Sequence, residues 1–198
     1  MVMARFILAP LAAALLLAGC AQTYVSPVSV TRFLGNQPAG LGHGPIAVRA
    51  APGMANSLEF APYWQAVSAE LTRLGYQVVP GNEAAQVAEV RVERAVEQPG
   101  RRRNPVSVGV GGATGSYGSG LGLGLGIDLS GPPPAVADTR MGVTIRDGAG
   151  GQPLWEGRAE FSASANSRYG SAQAAAAKMA AALFAGFPGH SGETVEVR

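Results

Sequence analysis

The sequence predicts an α+β fold: a two-layer sandwich with two helices packed on one face of a mixed, mainly antiparallel sheet, plus a Gly-rich hairpin or loop. Two observations carry this prediction. Two segments repeat apolar residues at helical spacing, and three others alternate apolar with charged or small polar residues at a period of two. Composition agrees, because 198 residues with 47% apolar and 14% charged side chains suit one packed core.

Each element has its own signature. Residues 21–44 are rich in Pro, Gly, Ser and Thr and read as a tether that enters the fold, with a strand at Val28–Leu34. Pro45–Ala50 reads as a short buried strand that Ala51-Pro52-Gly53 ends. The first helix is predicted from about Pro62, which lacks the N–H that the first turn cannot use, to Leu74. Tyr63, Val67, Leu71 and Leu74 form its buried face, and Gly75 suits the left-handed cap. Tyr76–Val79 follows as a short strand.

Ala88, Val90 and Val92 then alternate with Glu89, Arg91 and Glu93, as a strand with one wet face requires. Met141, Val143 and Ile145 alternate with Gly142, Thr144 and Arg146 in the same way. The turn Asp147-Gly148-Ala149-Gly150-Gly151 joins them to Trp155, Gly157, Ala159 and Phe161, interleaved with Glu156, Arg158 and Glu160, so these two runs form a hairpin. The second helix spans about Ser171 to Phe184, with Ala172, Ala176, Met179, Leu183 and Phe187 marking its buried side. Its small residues suit close approach to a sheet. Phe187-Pro188-Gly189 stops it, and Thr194–Val197 offers a last strand.

Ahead of this domain, residues 1–19 read as a secretory signal peptide: one cation at Arg5, an apolar run from Phe6 to Leu17, and a small-residue end. The run is too short for a spanning helix, which needs about 20 residues. Leu17-Ala18-Gly19-Cys20 resembles the bacterial lipobox, in which a dedicated signal peptidase cuts before a lipid-modified cysteine. That resemblance implies acyl chains such as palmitate on Cys20, with Leu17, Ala18 and Gly19 as the peptidase recognition residues. Two or more acyl chains give a stable membrane anchor. Cys20 is the single cysteine, so an internal disulfide is excluded. Ala21 stands where inner-membrane retention signals of enteric bacteria place Asp, which by resemblance favours the outer membrane, facing the periplasm. The expected layout is a signal peptide at 1–19, a lipidated tether at 20–44, and one domain over 45–198 with a Gly-rich insertion at about 104–130.

That insertion holds no charged residue between Asn104 and Ile127. Its glycines fit neither a dinucleotide-binding register nor a P-loop. The run from Gly120 to Gly126 alternates with Leu121, Leu123 and Leu125, which places leucines on one face of a strand and bare backbone on the other. Three readings stay open. A flexible hairpin or loop is the plainest. A packing surface formed by Leu121, Leu123 and Leu125, for another copy or an envelope protein, follows from an apolar stripe that would seek cover. Membrane insertion is disfavoured because an isolated strand leaves its backbone unsatisfied in lipid.

The search for chemistry yields no catalytic residue and no cofactor site. His43 and His190 lie beside glycines without ligand spacing, so no metal is expected. Asp128, Asp138 and Asp147 look like loop and turn residues, and Gly118-Ser119-Gly120 lies in low-complexity sequence. Trp64 and Trp155 read as core or edge packing. A net charge of +2 is no nucleic-acid footprint, and Arg101-Arg102-Arg103 reads as a solvated loop.

The leader, the 57–76 helix block, Leu154-Trp155-Glu156-Gly157 and Phe184-Ala185-Gly186-Phe187-Pro188-Gly189 together resemble a Gram-negative lipoprotein family of unknown function, domain-of-unknown-function group four-one-three-six. The resemblance implies an envelope lipoprotein with an α+β domain and no assigned activity. The expectation is a non-enzymatic binding or accessory component of an outer-membrane assembly, with the membrane and an envelope protein or a second copy as partners. The alternative is a periplasmic carrier of a small molecule or lipid, held between the sheet and its helices.

Overall fold

The structure, a computed structural model, describes residues 23–36, 40–54, 58–59, 61–81, 84–98, 133–148 and 151–198, together with the backbone of 106–115 and 118–127. It has the predicted α+β architecture. The strands are β1 (Val28–Leu34), β2 (Gly44–Ala50), β3 (Tyr76–Val78), β4 (Gln86–Glu97), β5 (Val106–Gly115), β6 (Gly118–Ile127), β7 (Val136–Asp147), β8 (Pro153–Ser164) and β9 (Thr194–Val197). The helices are α1 (Ala61–Arg73) and α2 (Ala172–Phe184).

Seven strands form one sheet in the order β3-β2-β4-β7-β8-β1-β9, and β5 and β6 form a separate two-stranded sheet. β2 runs parallel to β3 and β4, and the other pairings are antiparallel. The parallel pair β2/β3 requires a crossover, and α1 supplies it. One expected boundary moves. The domain starts before residue 45, because β1 lies between β8 and β9 inside the sheet. Its alternation of Val28 and Val30 with Ser29 and Thr31 gives it a face to bury.

Both helices pack on one side. Tyr63, Val67 and Leu71 of α1 are buried, as their spacing predicts, and Gly75 ends the helix at φ +104°. Ser171 serves as the N-cap of α2, its hydroxyl accepting from Ala174 N. The buried face of α2 is wider than predicted, taking in Ala175, Ala180, Ala182 and Phe184 beside Ala176, Met179 and Leu183. So many alanines leave no bulky side to keep the helix off the sheet.

The two layers meet in a packed core. Trp155, Phe184, Tyr63, Leu71 and Leu183 have no exposed surface. The Trp155 ring stacks on Phe184 at 5.4 Å between centroids, and its indole N–H donates to Pro188 O at 2.9 Å. Gly157 makes room for that ring: an added Cβ would overlap it and press on Leu183 Cδ1 at 2.8 Å.

Candidate functional site

The end of the sheet where the chain enters is held by main-chain and serine-hydroxyl bonds that join distant residues. Tyr24 N donates to Ser164 Oγ at 2.9 Å, and Ser164 N donates to Tyr24 O at 2.8 Å. Ser26 N donates to Ser162 O at 2.9 Å, Ser162 N donates to Ser26 Oγ at 2.9 Å, and Val25 bridges Ala163. Ser162 Oγ also bonds the Asp138 carboxylate, which fixes this corner further. The backbone is therefore tied down from Tyr24 onward.

The roots of the Gly-rich hairpin emerge at the same end. Glu97, the last residue of β4, pairs with Val136, the first of β7, and Val136 pairs with Ser164. Ala165 N donates to Ala135 O at 2.7 Å. Glu97, Val136, Ser164 and Tyr24 thus lie side by side, and at about 4.8 Å per strand they span roughly 15 Å. One row inward, Val96, Ala137, Ala163 and Val25 line up across the sheet. Tyr24, Val25 and Val96 are 54%, 39% and 59% exposed, so this end presents large apolar surface. From Arg91 onward β4 also has an edge that β2 does not cover.

Several predicted site residues fall elsewhere. Cys20 and the recognition residues Leu17, Ala18 and Gly19 lie outside the described residues, as do Arg101, Arg102, Arg103 and Asp128. Leu121, Leu123 and Leu125 belong to β6, where they pair in register with Gly112, Val110 and Val108 of β5. Their side chains lie outside what is described. His43 and His190 are exposed and far apart in sequence, and among the described residues no three His, Cys, Asp or Glu side chains cluster to hold a metal. Trp155 is in the core, whereas Trp64 is 40% exposed and donates to Val48 O.

Sequence reading missed two polar centres. Arg32 sits on the apolar side of β1, only 6% exposed, and reaches the C-terminus of α2. Its Nε donates to Leu183 O at 3.0 Å, and its Nη2 donates to Ala182 O at 3.0 Å and Ala185 O at 2.7 Å. These carbonyls belong to the last turn and cap of α2, where Ala182 O also accepts the Ala185 N–H at 3.3 Å, and they sit at the negative end of the helix dipole. Burial lowers the guanidinium pKa, and the Glu193 carboxylate partly offsets this. A signal for Arg32 was available, because it follows Val28 and Val30 at the same parity.

The second centre is on the helix-free face of the sheet. There the register builds rows of charge: Glu93, Arg140 and Glu160 in one, Arg91, Gly142 and Arg158 in the next, and Arg49, Glu89, Thr144 and Glu156 in the third. Glu89 accepts from Arg49 Nη2 at 2.6 Å and from Arg146 Nε at 3.0 Å. Burial alone would raise its carboxyl pKa. The hydrogen bonds and charges of Arg49 and Arg146 outweigh it, so the net shift is downward. Arg158 pairs with Glu156 at 2.7 Å and lies over the Phe33 ring. All of these residues except Arg49 and Phe33 line a shallow, open depression of about 530 Å³. Rows of alternating sign on an open floor can hold a surface of complementary charge.

No helix among the described residues is long and apolar enough to cross a membrane. No family model and no curated protein matches the sequence. Among solved structures, the chain is similar to a PDZ domain protein from Parabacteroides distasonis, with 14% identity and a TM-score of 0.48. That match covers 88% of this chain and 38% of the other, so the chain spans well under half of that protein's length. It is also similar to the PelC dodecamer from Paraburkholderia phytofirmans, with 13% identity, a TM-score of 0.43, and coverage of 79% of this chain and 94% of that one.

Proposed function

We propose that this protein is an outer-membrane lipoprotein, anchored through lipid on Cys20 and facing the periplasm, that works by binding as an accessory component of an envelope assembly. One observation carries the reading: the backbone is fixed from Tyr24 at the end of the sheet from which the hairpin also emerges. Residues 21–23 alone separate that point from Cys20, a reach of about 14 Å when fully extended. A lipid on Cys20 would therefore hold this end close to the bilayer and turn the charged face sideways, open to a neighbouring protein. The carrier reading draws less support, since the space between sheet and helices is filled by Trp155, Phe184, Tyr63, Leu71 and Leu183.

In-cell photo-crosslinking tests this reading. A photoreactive residue at position 144 or 158, on the charged face, should capture one recurrent envelope protein, and Arg91→Glu with Arg158→Glu should remove the adduct formed from position 144. Adducts that form only from position 177 on the outer side of α2, or a small molecule retained by protein extracted from its membrane, would contradict the proposal.

A further inference from the structure

We infer that the β5–β6 hairpin enters the lipid bilayer as one copy's share of a closed β-barrel built from several copies of this chain. The inference rests on the membrane anchoring proposed above and adds to it a second, spanning contact.

The register sorts the hairpin into two unlike faces. Residues directly opposite in an antiparallel pair share a face. Val106 with Ile127, Val108 with Leu125, Val110 with Leu123, and Gly112 with Leu121 therefore occupy one face. The other face carries Ser107 with Gly126, Gly109 with Gly124, Gly111 with Gly122, and Ala113 with Gly120. One side is thus apolar over four successive rows and ends at Thr114 with Ser119 beside the hairpin tip, and the other is nearly bare backbone with serine and alanine. Alternation of apolar with small or polar residues is the pattern of a strand between lipid and a barrel interior.

Length and charge agree. Each strand has ten residues. At about 3.4 Å per residue and a tilt of about 45°, ten residues cover roughly 24 Å, the length of a membrane-barrel strand, of which the four apolar rows cover about 15 Å. No residue between Asn104 and Ile127 is charged, and Arg103 and Asp128 are the first charged residues on either side. The hairpin springs from Glu97 and Val136, at the end of the sheet where Tyr24 holds the chain that leads to Cys20. Anchor and hairpin therefore meet the membrane from the same side.

Other occupants explain less. A soluble protein partner could cover the apolar face, but it would not require the match to bilayer thickness or the complete absence of charge. The two-stranded sheet leaves one unpaired edge on each strand, and in lipid such edges are prohibitive unless the sheet closes. Identical hairpins from neighbouring copies satisfy those edges. The smallest known membrane barrels have about eight strands, which sets a minimum of about four copies.

The test uses the full lipidated chain in phospholipid vesicles, with single cysteines at positions 120 to 125 carrying a fluorophore and the Cys20 thiol already acylated. Labels at 121, 123 and 125 should be quenched by nitroxide-bearing lipids, and labels at 120, 122 and 124 by a water-soluble quencher. Nanodiscs should hold four or more copies. Leu123→Arg should lower the ratio of lipid-quenched to water-exposed label at position 121 about 30-fold or more, the least that a midplane arginine on the lipid face costs. Chemical denaturation of the same variant should leave the seven-stranded domain unchanged. Vesicles that float with the protein while every label stays open to water would overturn the inference and leave the anchor standing. Labels shielded from both quenchers would assign the face to a protein and overturn it. So would period-two quenching in a monomeric nanodisc. Failure of the protein to float at all would remove both readings.

Discussion

Arg32 and Glu89 show how single polar residues brace this sandwich from opposite faces. Arg32 replaces the basic residue that the last turn of α2 lacks, and it does so from a neighbouring strand. Arg32→Met should lower stability by about 2–4 kcal/mol, since it strips three carbonyls of a buried charged donor, and urea denaturation will read the loss. Arg32→Lys should recover only part of it, because an ammonium cannot span the same fork of acceptors. At Glu89 the sign follows from its lowered pKa. The unfolded chain binds that proton more readily, so the stabilisation is complete above the ordinary carboxylate pKa of about 4.3 and is lost as pH falls through the lower, folded value. The gap in urea midpoint between wild type and Glu89→Gln should therefore narrow from about pH 5 to pH 3, and a gap that is constant or widens would contradict the assignment. Neither role was fully legible beforehand. The parity of Arg32 could have been noticed, but its partners lie some 150 residues away. Glu89 looked like one more wet-face charge until the register set Arg49 and Arg146 beside it.

At the level of elements, local pattern and tertiary packing agree almost everywhere. The α1 face of Tyr63, Val67 and Leu71, the stop at Gly75 and the alternation of β4, β7 and β8 were all readable, because burial demands those periods. The strands run longer than their clearest alternation: β4 continues to Glu97 and β7 begins at Val136. At its start β7 keeps a buried face through Ala137 and Thr139, whereas the exposed end of β4 is sustained by its pairing with β7. The wide face of α2 was missed because alanine marks no side of a helix strongly. Close packing of α2 on β8 depends on Gly157. Gly157→Ala should cost about 1–3 kcal/mol through overpacking against Trp155 and Leu183, seen as a lower urea midpoint with a red-shifted tryptophan emission. The hairpin behaves as a separate element. Deleting residues 105–127 removes β5 and β6 but no strand of the larger sheet. Since closure entropy changes slowly with loop length, the unfolding free energy should shift by no more than about 1 kcal/mol. A collapse of the transition would mean that the hairpin is part of the core.

For the whole molecule, the decisive feature is an end, and ends are set by non-local pairing. The lipobox resemblance gave an expected anchor, and the glycine pattern gave an odd insertion, but nothing in the local sequence says that residues 24, 97, 136 and 164 lie abreast. Register alone brings them together. It also places the expected strand at Val28–Leu34 inside the main sheet, between β8 and β9, so the distance between lipid and domain becomes short. The most direct measurement is depth quenching of the lipidated protein on vesicles, comparing a fluorophore at position 96 with one at position 148 in the β7–β8 turn, at the opposite end of the sheet. Headgroup-level nitroxide lipids should quench strongly at position 96 and not at position 148. Equal quenching at both positions, or the reverse order, would contradict the claim that anchor and hairpin share one membrane-facing end.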